Sequence, residues 1–205
     1  MVVFAQSEFT GVNWQLMKTI SPTKGGPIID HPDENGSWYI YANRGLCRTA
    51  GMSYWSGTPA SADYTVQATI NIKSTIGSTG VAGRISTTAR TYYTAYIEQT
   101  TGKVVLAKRV AGTITSLGVS ASGYGIGNHI LALDMVGTTI RALVGGVQVV
   151  TFSDTTNNIT AAGKAGIRAP VISDTATGKH IDNFIATDTS VASIGRSYVV
   201  GLIGL

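Results

Sequence analysis

Charge is what this sequence lacks most. Only 13% of its 205 residues are Asp, Glu, Lys or Arg, about half the share in an average soluble domain. So few charges leave part of the surface to be covered by neighbours, which predicts a homo-oligomer or a larger assembly. The formal net charge is +4, yet the basic residues are scattered. Lys103, Lys108 and Arg109 are the densest group, and no long basic run exists to make the patch that nucleic acid requires. A single cysteine, Cys47, excludes an intrachain disulfide and predicts a buried, reduced thiol. No Cys/His cluster has zinc-site spacing. The apolar runs are too short to cross a bilayer, so no membrane partner is expected. The opening "MVVFAQSEFTGVNW" lacks the basic and long apolar regions of a secretory signal.

Strand signals dominate what is present, and no window sustains a 3.6-residue apolar period. "YTVQATINIK" alternates strictly: Val66, Ala68, Ile70 and Ile72 share one face, and Thr65, Gln67, Thr69 and Asn71 the other. In "YYTAYIE", Tyr93, Ala95 and Ile97 are expected on the core face. Tyr92, Thr94, Tyr96 and Glu98 then face outward. "QTTGK" supplies a turn and "VVLAKRV" the return strand. "HILALDMV" places Leu131, Leu133 and Met135 together. "TTIRALVGGVQVVTF" reads as a hairpin through Gly145-Gly146, and "GKAGIRA" and "HIDNFIATD" as two further strands. "SWYIYANRGLCRTAG" holds one or two strands, and "MSYWSGTPASAD" reads as a loop carrying Tyr54 and Trp55. The pattern is all-β, with turn spacing close to that of sandwich folds.

From about residue 60 to 187 the order of these signals resembles the concanavalin A-like, laminin-G-like jelly-roll superfamily. The matching elements are "ADYTVQATI", "GVAGRIS", "TYYTAYIE", "GKVVLAKR", "HILALDM", "GTTIRALVGGVQVVTFSD", "GKAGIRA" and "IDNFIA". The resemblance implies two stacked antiparallel sheets, one of them concave, in a single domain over residues 1–188. It does not imply one function, since the fold serves lectins, glycan hydrolases, adhesion modules and particle proteins. Residues 189–205 form an apolar tail, in which Tyr198, Val199, Val200, Leu202, Ile203 and Leu205 are candidate oligomer contacts.

Catalysis has little to work with. Glycoside hydrolysis needs two placed carboxylates, and hydrolases on this fold carry an E-x-D-x-x-E run that is missing here. Glu98 stands alone on its strand, and Asp134 has no carboxylate at i+2 or i+4. No G-x-S-x-G elbow occurs. The chain is therefore expected not to be an enzyme. "IIDHPDENGSW" gathers Asp30, His31, Asp33 and Glu34, either as a cation site or as a polar loop whose Pro32 and Asn35-Gly36 shape turns. No cofactor is expected. Asp30, and Asp182 in "HIDNF", are the carboxylates at which a structural calcium would be sought, against the plainer reading of an Asp bonding backbone amides.

The remaining chemistry lies in "VAGRISTTARTYYTAYIE". Outward Tyr92 and Tyr96 would offer rings to sugar C–H faces, with Arg84 and Arg90 adding polar contacts. The alternative is that these tyrosines cover a sheet face or a subunit contact. Tyr54 and Trp55 are a second ligand candidate. Two functions follow. One is a non-enzymatic structural protein of a virus particle, a bacteriophage head-decoration or tail-associated component, partnered by other virion proteins and assembled in host cytoplasm. The other is an extracellular carbohydrate-binding module or adhesin recognising a cell-surface glycan.

Overall fold

The structure, a computed structural model, describes residues 1–173 and 177–189. Strands numbered in chain order build two sheets. The first runs β13 (Val147–Ser153), β12 (Thr139–Val144), β11 (Gly127–Val136), β6 (Tyr64–Ile72), β15 (Lys179–Asp188), β4 (Arg44–Thr49), β3 (Ser37–Tyr41), with β1 (Val2–Ser7) also on β15. The second runs β10 (Thr113–Gly123), β9 (Lys103–Val110), β8 (Tyr92–Ile97), β7 (Ser78–Ile85), β14 (Lys164–Val171), β5 (Gly51–Trp55), β2 (Ile28–Asp30). Every strand pairing is antiparallel. This is a two-sheet jelly-roll sandwich, as the order of strand signals implies.

Period-two patterning decides which side chains fill the space between the sheets. β6 alternates without a break, its odd members half-buried and its Val66, Ala68, Ile70 and Ile72 in the core. Leu131, Leu133 and Met135 of β11 join them, facing Tyr93, Ala95 and Ile97 of β8 and Ile167 of β14. Each large aliphatic removed from water contributes roughly 1.5–3 kcal/mol. Trp55 and Phe184 stack across the two sheets, ring centroids 3.7 Å apart and 3° from parallel. Turn chemistry fixes the registers. Gly145 and Gly146 both take positive φ (59° and 81°), which is what a two-residue type I′ hairpin between β12 and β13 requires.

One expectation is corrected here, and one strand is added. Tyr54 and Trp55 are not loop residues: both lie in β5 and both are buried. Ser and Gly around them read as a loop, but the burial is supplied by strands distant in sequence. β10, "TITSLGVSASG", carries no legible strand signal, because it is polar, Gly-containing and mostly exposed. It is an edge strand held by its ladder to β9, with two register shifts along the way.

Candidate functional site

Strand registers lay out the outer face of the second sheet, the face turned away from the core. One row across it is Met52, Arg168, Gly80, Tyr96 and Val105; the next is Tyr54, Gly166, Ala82, Thr94 and Ala107; Tyr92 and Arg109 pair in the third. The middle row is made of small residues apart from Tyr54. The long Arg168 side chain reaches over this face, its Cζ 5.4 Å from the Tyr92 ring centroid and 6.0 Å from that of Tyr96. Gly80 matters to this arrangement, since a Cβ there would fall 2.4 Å from Tyr96 Cα.

A loop from the other end of the sheet closes part of the face. His31 donates from Nε2 to Ser86 O at 2.9 Å and accepts the Asp33 N–H on Nδ1 at 3.2 Å. That pins the loop so that Glu34 lies among three donors. The Tyr92 hydroxyl donates to Oε1 at 2.7 Å, Arg109 Nη1 donates to the same oxygen, and Arg168 Nε approaches Oε2 at 3.4 Å. Glu34 and Arg168 are both largely buried, and Arg109 is partly so. Burial pushes the Tyr92 and Tyr96 hydroxyls above the ordinary phenol range, so both stay protonated at neutral pH. Arg168 Nη1 is buried with no hydrogen-bond partner among the described residues. Beside the network opens a pocket of about 300 Å³, lined by Asp33, Glu34, Asn35, Arg90, Arg109 and Arg168 among others.

The predicted site residues separate sharply. Tyr96 is half-buried at the face and Arg90 is exposed at the pocket. Tyr92, expected outward and open, does face outward but is 0% exposed, because the Glu34 loop and Arg168 cover it. Arg84 is withdrawn as a ligand residue. It sits at a bulge with φ +49° and points inward. Its guanidinium donates to Ile159 O (2.7 Å), Ala62 O (2.9 Å) and Gly137 O (3.0 Å), tying three loops together. Tyr54 and Trp55 are buried, the first beneath the same outer-face cluster as Tyr92 and the second in the core.

Neither metal candidate gathers a cation site. Asp30 pairs with Lys18 at 3.0 Å and accepts the Ser53 hydroxyl at 2.8 Å. Asp182 accepts the Asn183 N–H at 2.8 Å at a bulge in β15, and burial raises its carboxyl above the ordinary carboxylate range. Among the described residues no group of three or more His, Cys, Asp or Glu could hold a metal ion. Tyr198, Val199, Val200, Leu202, Ile203 and Leu205 lie outside the described residues. Sequence reasoning missed Arg109 and Arg168, and saw Glu34 only as one of a polar loop. For Arg168 a signal existed: it alternates with Ile167 in "GKAGIRA", so it must face away from the core.

Larger hollows exist elsewhere, but their charged groups are satisfied from within. One of about 440 Å³ is lined by Lys108 and Asp154, which pair at 2.7 Å. Another of about 490 Å³ includes Lys179, whose Nζ lies 2.9 Å from Gly77 O and 3.2 Å from Thr75 O.

No family model matches the chain, and neither does any of the curated proteins. Solved structures do match in fold. The carbohydrate-binding module CBM66 from Bacillus subtilis is similar at a TM-score of 0.57 and 16% identity, over 75% of this chain and 89% of that one. The Bacillus licheniformis β-glucanase aligns at a TM-score of 0.56 and 12% identity, over 93% and 99%. The Caenorhabditis elegans galectin LEC-6 aligns at a TM-score of 0.50 and 14% identity, over 69% and 93%. These likenesses establish the concanavalin A-like jelly roll. Nothing in them points to a bacteriophage origin.

Proposed function

We propose that the chain is a non-catalytic carbohydrate-binding module that recognises a glycan on the outer face of the second sheet. The carrying observation is the pairing there of a half-exposed tyrosine ring, Tyr96, with a guanidinium, Arg168, held against it. The ring suits the C–H face of a sugar, while Arg90 and Arg109 at the adjoining pocket offer donors to its hydroxyl or acidic groups. The binding modules and galectins that share the fold support this reading over a structural role in a virus particle.

The charge pattern supports the absence of catalysis. β5, β7, β8, β9, β10 and β14 contain no Asp or Glu, and the Asp30 of β2 is engaged by Lys18 and Ser53. Glu34 therefore has no carboxylate partner on those strands across the face, and a glycosidase needs a second one some 5–10 Å away. Glu34 itself is held between two arginines and a phenol, so its carboxylate oxygens are already occupied by partners within the chain.

A glycan array probed with the parent chain, Tyr96→Ala and Arg90→Ala tests the reading. Both positions are accessible enough for the variants to fold, and unfolding midpoints check that they do. The expected result is one glycan class bound by the parent and lost or weakened about tenfold or more in each variant. Binding left intact in both variants would reject the face as the site.

A further inference from the structure

A second cluster sits on the opposite outer face, at the β3 edge of the first sheet. Residues 13–16 run beside β3: Leu16 bridges Tyr39, and the Trp14 N–H donates to Ile40 O at 2.7 Å. Trp14 takes a left-handed φ of +68°. That region is unfavourable for a bulky side chain, and it persists only where the surroundings impose it. Here they do so through Ile40 N–H to Gln15 O (2.8 Å) and Ala42 N–H to Asn13 Oδ1 (2.8 Å). The result is a tryptophan held out of the core. Trp14 is 48% exposed, whereas Trp38 and Trp55 are buried.

Its neighbours make the position chemically specific. The Trp14 and Tyr41 rings lie 5.0 Å apart. Arg48 Cζ is 5.4 Å from the Trp14 centroid and 5.8 Å from that of Tyr39, so two aromatic rings hold one guanidinium. Arg48 is exposed, and among the described residues no hydrogen bond or ion pair engages its guanidinium. Lys18, the cation near Tyr39, is already paired with Asp30.

An exposed arginine ordinarily keeps its rotamer freedom. This one has lost much of it to two ring contacts while its fork of N–H donors stays unspent. The chemistry that completes such a fork is a pair of oxygens fixed in one plane or on one centre, as in a carboxylate or a sulfate. The indole beside it is suited to an apolar ring face. A tryptophan, two tyrosines and an arginine cover too little area for a stable protein–protein interface, which takes about 800 Å² per partner. They match one or two sugar rings. We infer that Trp14 and Arg48, backed by Tyr39 and Tyr41, form a second saccharide subsite specific for a sugar bearing a carboxylate or sulfate group. It stands independently of the Tyr96 face, on the other sheet.

Trp14 is its own reporter. The full chain is titrated with polygalacturonate, dextran sulfate and unmodified dextran while tryptophan emission is followed. Affinity electrophoresis in gels containing the same polymers gives the binding strength of Trp14→Phe and Arg48→Gln. The expected result is an emission change with at least one polyanion and none with dextran. Retardation should weaken about tenfold in Arg48→Gln and clearly in Trp14→Phe. A response to polygalacturonate alone assigns a uronate, and a response to dextran sulfate alone assigns a sulfated sugar. An unchanged emission with both polyanions overturns the inference. So does an equal response to dextran, or retardation that persists undiminished in Arg48→Gln, which would mark general attraction to a basic protein.

Discussion

Glu34 shows how much one side chain can settle. Its carboxylate meets Tyr92, Arg109 and Arg168 together, so it joins the polar loop to strands β8, β9 and β14. Removing one member of a buried ion pair leaves its partners charged and uncompensated, which costs about 3–5 kcal/mol. Glu34→Ala is therefore expected to lower the unfolding free energy by about 3 kcal/mol in a denaturant titration. A loss under about 0.5 kcal/mol would mean that water replaces the carboxylate freely. Cys47 makes the opposite point, that a residue reactive in isolation can be inert in place. It is fully buried, and burial pushes its thiol up to about 12, with a backbone hydrogen bond at Thr49 a smaller and opposing influence. At pH 8 it should resist a thiol reagent in the native protein and react at once in denaturant. Rapid labelling of the native chain would contradict that burial.

At the scale of elements, what was legible followed period two. Strict alternation in β6 and β8 assigned inward and outward faces correctly, and paired glycines marked the β12–β13 hairpin. What escaped was decided by residues far apart in the chain. Parity put Tyr92 outward, but only the loop around Glu34, 58 residues earlier, determines that it is covered. Arg84 lay on a strand whose bulge turns it inward, and no local pattern announces a bulge. The β8–β9 turn is more self-contained and carries its own pH dependence. Glu98 accepts the Thr101 hydroxyl at 2.6 Å and the Thr101 N–H at 2.8 Å. These bonds, the hydroxyl's foremost, hold its carboxyl below the ordinary value of 4.5. The folded turn thus binds this proton less tightly than the unfolded chain does. Its contribution is complete above 4.5 and fades as pH falls through the lower folded value. Hydrogen exchange at the Thr101 amide should lose protection over that acid window in the parent and show no such step in Glu98→Gln. A parent profile identical to the variant's would exclude the carboxylate as the cause.

At the scale of the whole molecule, the two surfaces proposed to bind saccharide lie on opposite outer faces of one sandwich, and the two ends of the described chain are tied into it. β1 and β15 pair from Val2 with Asp188 to Ser7 with Phe184, and the Thr189 N–H reaches Asp63 O at 3.1 Å. Among the described residues, every member of the main core cluster lies at or before Ala186. Residues 190–205 are largely apolar in sequence, with Arg196 as their single charge. A chain ending at Thr189 is therefore expected to unfold at the same temperature as the full chain, within about 2 °C. The sparse surface charge and the apolar tail together predict that the full chain self-associates through residues 190–205. Light scattering coupled to size exclusion should then give a multimer for the full chain and a monomer for the truncated one. The consequence for binding is valency: a multimer multiplies both faces and raises avidity for a polymer without any new contact, whereas the monomer keeps one copy of each. An unchanged mass on truncation would place the self-association elsewhere. A marked drop in unfolding temperature would show that the tail belongs to the core after all.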